Sequence, residues 1–243
     1  MRTPRYQAIA DDLRRRIEAD EFGAGGLLPS EADLSATHGV SRVTVRKALD
    51  VLRDEGLLDS RQGFGWFVAI DPLRQSLGRL GTLEDQLETE GVLSERRILE
   101  FAFVEARGRV RAVLGSGEVL KVRRLNLADG APFAVVTVWC PQALAVDISR
   151  ADVERSPFYE LVEVELGGAV QTIGAAAVGA RDAELLRMPE GAPALVCERV
   201  THAAAGDPVL LSRFVFPAHL TEFVVELPRF ERSIAPTGLR LVE

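Results

Sequence analysis

A chain of 243 residues is long enough for two moderate domains, each with its own core. Residues 1–70 carry 10 Lys+Arg against 11 Asp+Glu and the remainder 19 against 25, so neither half attracts DNA through bulk charge and any DNA binding must come from a local basic face. Only two cysteines occur, Cys140 and Cys197, both in strand-like runs. With no signal peptide and no apolar run of eighteen residues, they point to buried, inert thiols, a cytoplasmic location and no membrane partner.

Tyr6, Ile9, Ala10, Leu13 and Ile17 recur at helical spacing and predict a first helix over residues 5–21. Pro29 closes the loop that follows. Ser30, with Asp33 three residues on, marks a second helix start, the serine oxygen accepting an otherwise orphaned backbone N–H. Gly39 can take the positive φ that ends this helix, and Ser41 can cap a third. In the third helix Val45, Ala48, Leu49 and Leu52 repeat at i, i+3, i+4 and i+7 and define its buried face. Arg42 and Arg46 lie one turn apart on the other face, with Thr44 and Lys47 beside them. Cations at a helix N-terminus oppose the macrodipole unless something anionic lies there, which phosphates and guanine edges can supply. A solvated face with two arginines is the bland alternative. Against it stands the context: Gly56 ends the helix, and residues 57–61 and 66–70 read as short strands turned by Gln62–Gly63–Phe64–Gly65.

Three helices and a two-stranded wing make a winged helix-turn-helix, whose second motif helix enters the major groove. Here the chain resembles the GntR superfamily of bacterial transcription regulators. The resemblance is carried by Leu28-Pro29-Ser30-Glu31, by Val40-Ser41-Arg42-Val43-Thr44-Val45-Arg46-Lys47-Ala48-Leu49, by Glu55-Gly56-Leu57 and by Arg61-Gln62-Gly63-Phe64-Gly65-Trp66-Phe67-Val68. It implies a double-stranded DNA operator as partner. Base and backbone contacts would fall to Ser41, Arg42, Thr44, Arg46 and Lys47, and to Arg61, Gln62 and Gly63 at the wing. Ala32 stands where the family usually has arginine, which removes one contact. Phe64 and Trp66 replace the usual wing arginine and threonine; Phe64 could wedge into the groove or rest on the protein.

Residues 71–91 read as a linker, broken at Asp71–Pro72, loosened at Gly78 and Gly81, with a short helix at 82–90. Beyond it the period changes. Strand-length runs occupy 98–104, 119–127, 133–140, 170–178, 194–201 and 209–216, with hairpin turns at Asp129–Gly130 and Gly206–Asp207. Helical patches lie at 107–114, 157–166 and 180–188. The expected organisation is therefore a DNA-binding domain over 1–70, the linker, and an α+β domain over 92–243 with an antiparallel sheet of about six strands. This half resembles the effector-binding, chorismate-lyase-like UTRA domain of the HutC branch. The stretches that carry the resemblance are Val122–Phe133, Ser156-Pro157-Phe158-Tyr159-Glu160-Leu161 and Gly206–Ser212.

The UTRA resemblance implies a small-molecule effector and a homodimer, with effector-binding positions at Thr82, Arg124, Asn126, Val136, Ser156, Leu210 and Phe216. Arg124 fits the first arginine of the usual pair, but Asn126 replaces the second. Val136 and Leu210 replace two glutamates, and Pro217 and Thr221 fall near the usual arginine and tyrosine. A polyol buried there would leave polar groups unpaired at about 1–3 kcal/mol each, so the expected effector is mostly apolar, with one carboxylate or carbonyl held by Arg124, Thr82 or Ser156. Alternatively these positions are ordinary core and no effector binds. His38, His202 and His219 sit in no nucleophile or metal-ligand spacing, so neither catalytic residues nor a metal or cofactor are expected, and an enzyme of the chorismate-lyase-like fold is the remote alternative. A scaffold that uses the winged helix to bind protein is a further one.

Overall fold

A computed structural model of the chain describes residues 4–23, 25–69, 73–76 and 92–225, with 73–76 described by backbone alone. The head consists of α1 (Arg5–Glu18), α2 (Glu31–His38), α3 (Arg42–Asp54) and a hairpin of β1 (Leu58–Arg61) and β2 (Gly65–Val68). The expected caps are present. Ser30 Oγ accepts from Asp33 N, Gly39 is left-handed at φ 60°, and Ser41 Oγ accepts from Thr44 N at 3.3 Å. The first helix stops at Glu18, three residues short of expectation, because Asp20 turns to φ 56° and Glu21 N donates back to Arg16 O. Ile9, Ala10 and Leu13 of α1 meet Leu34 of α2 and Val45, Ala48, Leu49 and Leu52 of α3, all buried. Leu58 and Trp66 of the hairpin close this core.

Four residues of the expected linker form β3 (Leu73–Ser76), which pairs in parallel with β10 (Thr221–Val224). Residues 77–91, with Thr82 and the helix expected at 82–90, lie outside the described residues.

The second half is built on six antiparallel strands: β4 (Ser94–Glu105), β5 (Glu118–Ala128), β6 (Ala131–Pro141), β7 (Leu166–Ala177), β8 (Pro193–Ala203) and β9 (Pro208–Pro217). Their order is β4-β5-β6-β9-β8-β7, so two hairpin ladders join where β6 meets β9. Asp129 and Gly130 both take positive φ, as a two-residue hairpin between β5 and β6 requires. Among the described residues, five short helices flank the sheet: α4 (Gly108–Leu114), α5 (Gln142–Ala145), α6 (Arg150–Arg155), α7 (Phe158–Leu161) and α8 (Ala180–Leu185). The helical patch expected over 157–166 shrinks to α7, because Val162 already turns extended, at φ −83° and ψ 123°, and strand β7 begins at Leu166. Its unforeseen neighbour α6 starts at a full capping box between Ser149 and Asp152.

Strand alternation gives the sheet two cores. On one face Leu120, Val122, Val136, Val138, Leu210 and Phe216 pack with Ala145, Val153 and Phe158 from α5, α6 and α7. On the other Leu125, Leu127, Val135, Ala194 and Val215 pack with Ala183, Leu186 and Met188 from α8 and its C-terminal turn. Phe64, from the wing, belongs to this second cluster.

Candidate DNA-binding and effector sites

The candidate recognition surface is the first turn and a half of α3. Burying Val45, Ala48, Leu49 and Leu52 on the inner face turns Arg42, Val43, Arg46 and Lys47 outward, and Val43 is 79% exposed despite being apolar. Ser41 caps the helix while its hydroxyl lies 2.9 Å from Thr44 Oγ1. Arg46 forms a two-pronged pair with Glu31, Nε to Oε1 at 2.9 Å and Nη2 to Oε2 at 2.7 Å. Trp66 Nε1 donates to the same carboxylate from the wing strand at 3.2 Å. The Arg46 hydrogen bonds, opposed by partial burial and helped by Trp66, hold the Glu31 carboxyl below its usual range, so it stays ionised. Glu31 thus fixes the Arg46 side chain from a different helix. Lys47 lies 4.4 Å over the Tyr6 ring, its charge still exposed.

The wing is divided. Gln62 and Gly63 are exposed, as a groove contact requires. Arg61 instead donates from Nη1 to Ala218 O of the C-terminal domain at 3.0 Å, and Phe64 is 9% exposed. Of the two alternatives for Phe64, the structure has it resting on protein.

The expected effector positions on β5, β6 and β9 share one face. Arg124 pairs across the strands with Val136 and with Ile98, Asn126 with Ala134, and Val136 with Phe214. Arg124, Asn126, Val136, Leu210 and Phe216 are all buried, and the two polar members each have interaction partners. Ser156 is half-buried at the end of α6. A separate cavity of about 460 Å³ lies on the opposite face, where Arg97, Arg123, Arg181 and Arg187 meet Leu125, Leu127 and α8. Two of these cations are already compensated, Arg97 by Glu95 and Arg123 by Asp182, and Glu184 lines the same space, so little positive charge is left over.

The description of the bacterial regulatory proteins of the gntR family matches residues 5–68, and that of the UTRA domain matches residues 89–221, more than half of the chain. The chain belongs to the GntR family. Among its relatives, a transcriptional regulator of Mycobacterium tuberculosis is 33% identical, over 99% of this chain and 91% of that protein. The transcriptional repressor NagR of Bacillus subtilis is 28% identical over 93% and 96%. The crystal structure of PhnF from Mycobacterium smegmatis superposes with a TM-score of 0.60 at 23% identity, covering 90% of this chain and 99% of that one. This chain is therefore a GntR-family transcription regulator with a UTRA effector domain, in a family of DNA-binding proteins rather than enzymes. No helix among the described residues is long and apolar enough to cross a membrane.

The expected contact residues on α3 of this GntR head come together on one surface. Thr82 lies outside the described residues, and Arg61 faces the other domain. Three residues that bear on the sites carry no individual role in the sequence reading: Glu31, which clamps Arg46; Val43, an apolar residue out of phase with its helix stripe; and His219. The phase of Val43 was readable. The other two depend on contacts 15 and 194 residues apart. Both cysteines are buried, and burial pushes each thiol up to about 12.

Proposed function

We propose that this regulator binds a pseudo-palindromic operator as a homodimer, each α3 lying in a major groove one turn of DNA apart. The observation that carries the proposal is the exposed row Arg42, Val43 and Arg46, with the half-buried Thr44 among them, at the capped start of a helix whose opposite face is fully buried. Arg42 and Arg46 would read guanine edges, Val43 and the Thr44 methyl a thymine methyl, and Ser41 and Lys47 phosphates. Gln62 and Gly63 would reach the minor groove. The acidic balance of the chain supports a specific rather than a general mode of binding.

The UTRA half would take a mostly apolar effector on the face of Arg124, Asn126, Val136, Ser156, Leu210 and Phe216, with Thr82 as a further hydroxyl. A buried guanidinium amid valine, leucine and phenylalanine suits an apolar body with one carboxylate or carbonyl. Repression relieved by that ligand follows if the ligand prefers one head placement, with 71–91 linking domains 1–70 and 92–243 in a cytoplasmic protein. Selecting binding sites from fragmented genomic DNA tests the first half: a recovered two-fold site is expected, and no enrichment would refute it. Thermal shift against apolar acids and glucosamine-type phosphates tests the second. Stabilisation by the phosphates alone would overturn the apolar effector.

A further inference from the structure

Wing and effector domain meet at a built interface. The imidazole of His219, 3% exposed in the turn after β9, has its ring centre 4.5 Å from that of Phe64 and 5.0 Å from that of Phe67. Its Nε2 lies 3.3 Å from Gly25 O, in the loop leading into the head's second helix. The preceding residue, Ala218, accepts the Arg61 guanidinium through its carbonyl. Three wing residues and one loop residue of the head are therefore held by a single turn of the effector domain. Phe64 also enters the apolar cluster of Leu125, Leu127, Val135 and Val215. Val135 and Val215 alternate along their strands with Val136 and Phe216, which face the expected effector side.

We infer that the turn at Pro217–Leu220 is a latch that withholds the wing from DNA, so that full operator binding requires Arg61 and Phe64 to leave it. An arginine bonded through Nη1 to a carbonyl of the other domain keeps its charge, but its guanidinium is tethered to that turn and is not free to follow a phosphate away from it. An aromatic wing tip covered by protein cannot enter a groove. The latch is placed to respond to the sensor, because a shift of β6 or β9 made by a ligand on one face moves Val135 and Val215, members of the apolar cluster that Phe64 joins on the other. The arrangement seen, with two rings around His219 and Phe64 in the second cluster, is the docked state; a released state is the alternative the inference requires, and a ligand can bias the pair through its differential affinity.

The inference rests on the reading that the head binds DNA, and the test keeps the two apart. The probe is a fluorescent duplex carrying the site that wild-type full-length chain selects from genomic DNA. Failure to select any site would overturn the DNA-binding reading itself. With a site in hand, His219→Ala weakens the latch without altering any residue expected at the DNA. Its operator Kd should tighten about tenfold, the gain when a binding-competent state populated roughly one-tenth of the time becomes dominant. An unchanged or weaker Kd in a folded variant overturns the latch. Hydrogen exchange on the wild type gives a second measure that needs no variant. Operator duplex should speed exchange at Ala218–Leu220 while it slows exchange at Arg42–Arg46. Slower or unchanged exchange in the turn overturns the latch.

Discussion

Acid should loosen the contact between the two domains through one imidazole. Burial is the main force on His219, and together with the nearby Arg61 charge it outweighs the Gly25 carbonyl and lowers the ring from its ordinary 6.5 to about 4. The geometry agrees. With Nε2–H donating to Gly25 O, any added proton must sit on Nδ1, which is buried and has no hydrogen-bond partner among the described residues. A base held below its ordinary value binds fewer protons in the native state than in the unfolded chain. Stability is therefore intact above pH 6.5, falls as pH drops through the window from 6.5 to about 4, and loses nothing further from this group below it. At about 1.4 kcal/mol per pH unit across that window the loss is about 3 kcal/mol. Urea unfolding of full-length chain at intervals from pH 7.5 to 4 measures it. His219→Gln, which keeps a donor for Gly25 O but does not titrate, serves as reference and cancels the carboxylates and the other two histidines. Wild type should lose about 3 kcal/mol more than the variant across the window. Parallel curves, or three imidazole NMR resonances all titrating near 6.5, would refute the reasoning.

Arg46→Ala should weaken operator binding on the order of a hundredfold, by loss of a two-pronged base contact, while leaving the thermal transition of the UTRA domain in place. Operator affinity within threefold of wild type by anisotropy would count against α3 as the reading helix. Val43→Ser should relax preference at a single base pair per half-site, read by repeating the site selection, because only the apolar contact with a thymine methyl is removed. Asp182→Ala strands the buried Arg123 guanidinium and withdraws the charge 3.9 Å from Arg213, so it should cost about 3 kcal/mol in urea unfolding. Cys140 and Cys197, raised to about 12 by burial, should react with an aromatic disulfide reagent at pH 8 only as the chain unfolds, so native labelling at the rate of free thiol would contradict their placement.

What the sequence disclosed follows the range of the interactions. Ser30, Gly39 and Ser41 set helix ends through partners three or four residues away, so α2 and α3 were legible almost to the residue. The stripe Val45–Leu52 was legible for the same reason, and with it the exposed row beside it. Asp129–Gly130 fixed one hairpin, since few residue pairs tolerate two positive φ values. β3 was not legible, because a parallel pair has no turn between its strands, and Leu73–Ser76 meets Thr221–Val224 across most of the chain. Phe64 shows the limit more sharply. Its sequence neighbours place it at a wing tip, where an aromatic ring has either a groove or a protein surface to cover it. Nothing local decides between them. The choice is made by His219 and by strands more than sixty residues away, which offer an apolar surface that DNA does not need to provide. A wing built for DNA alone has no reason to expose such a ring to water whenever the operator is absent. A wing that must also be held when DNA is absent does, and the phenylalanine at position 64 is explained by the released state and the docked state together.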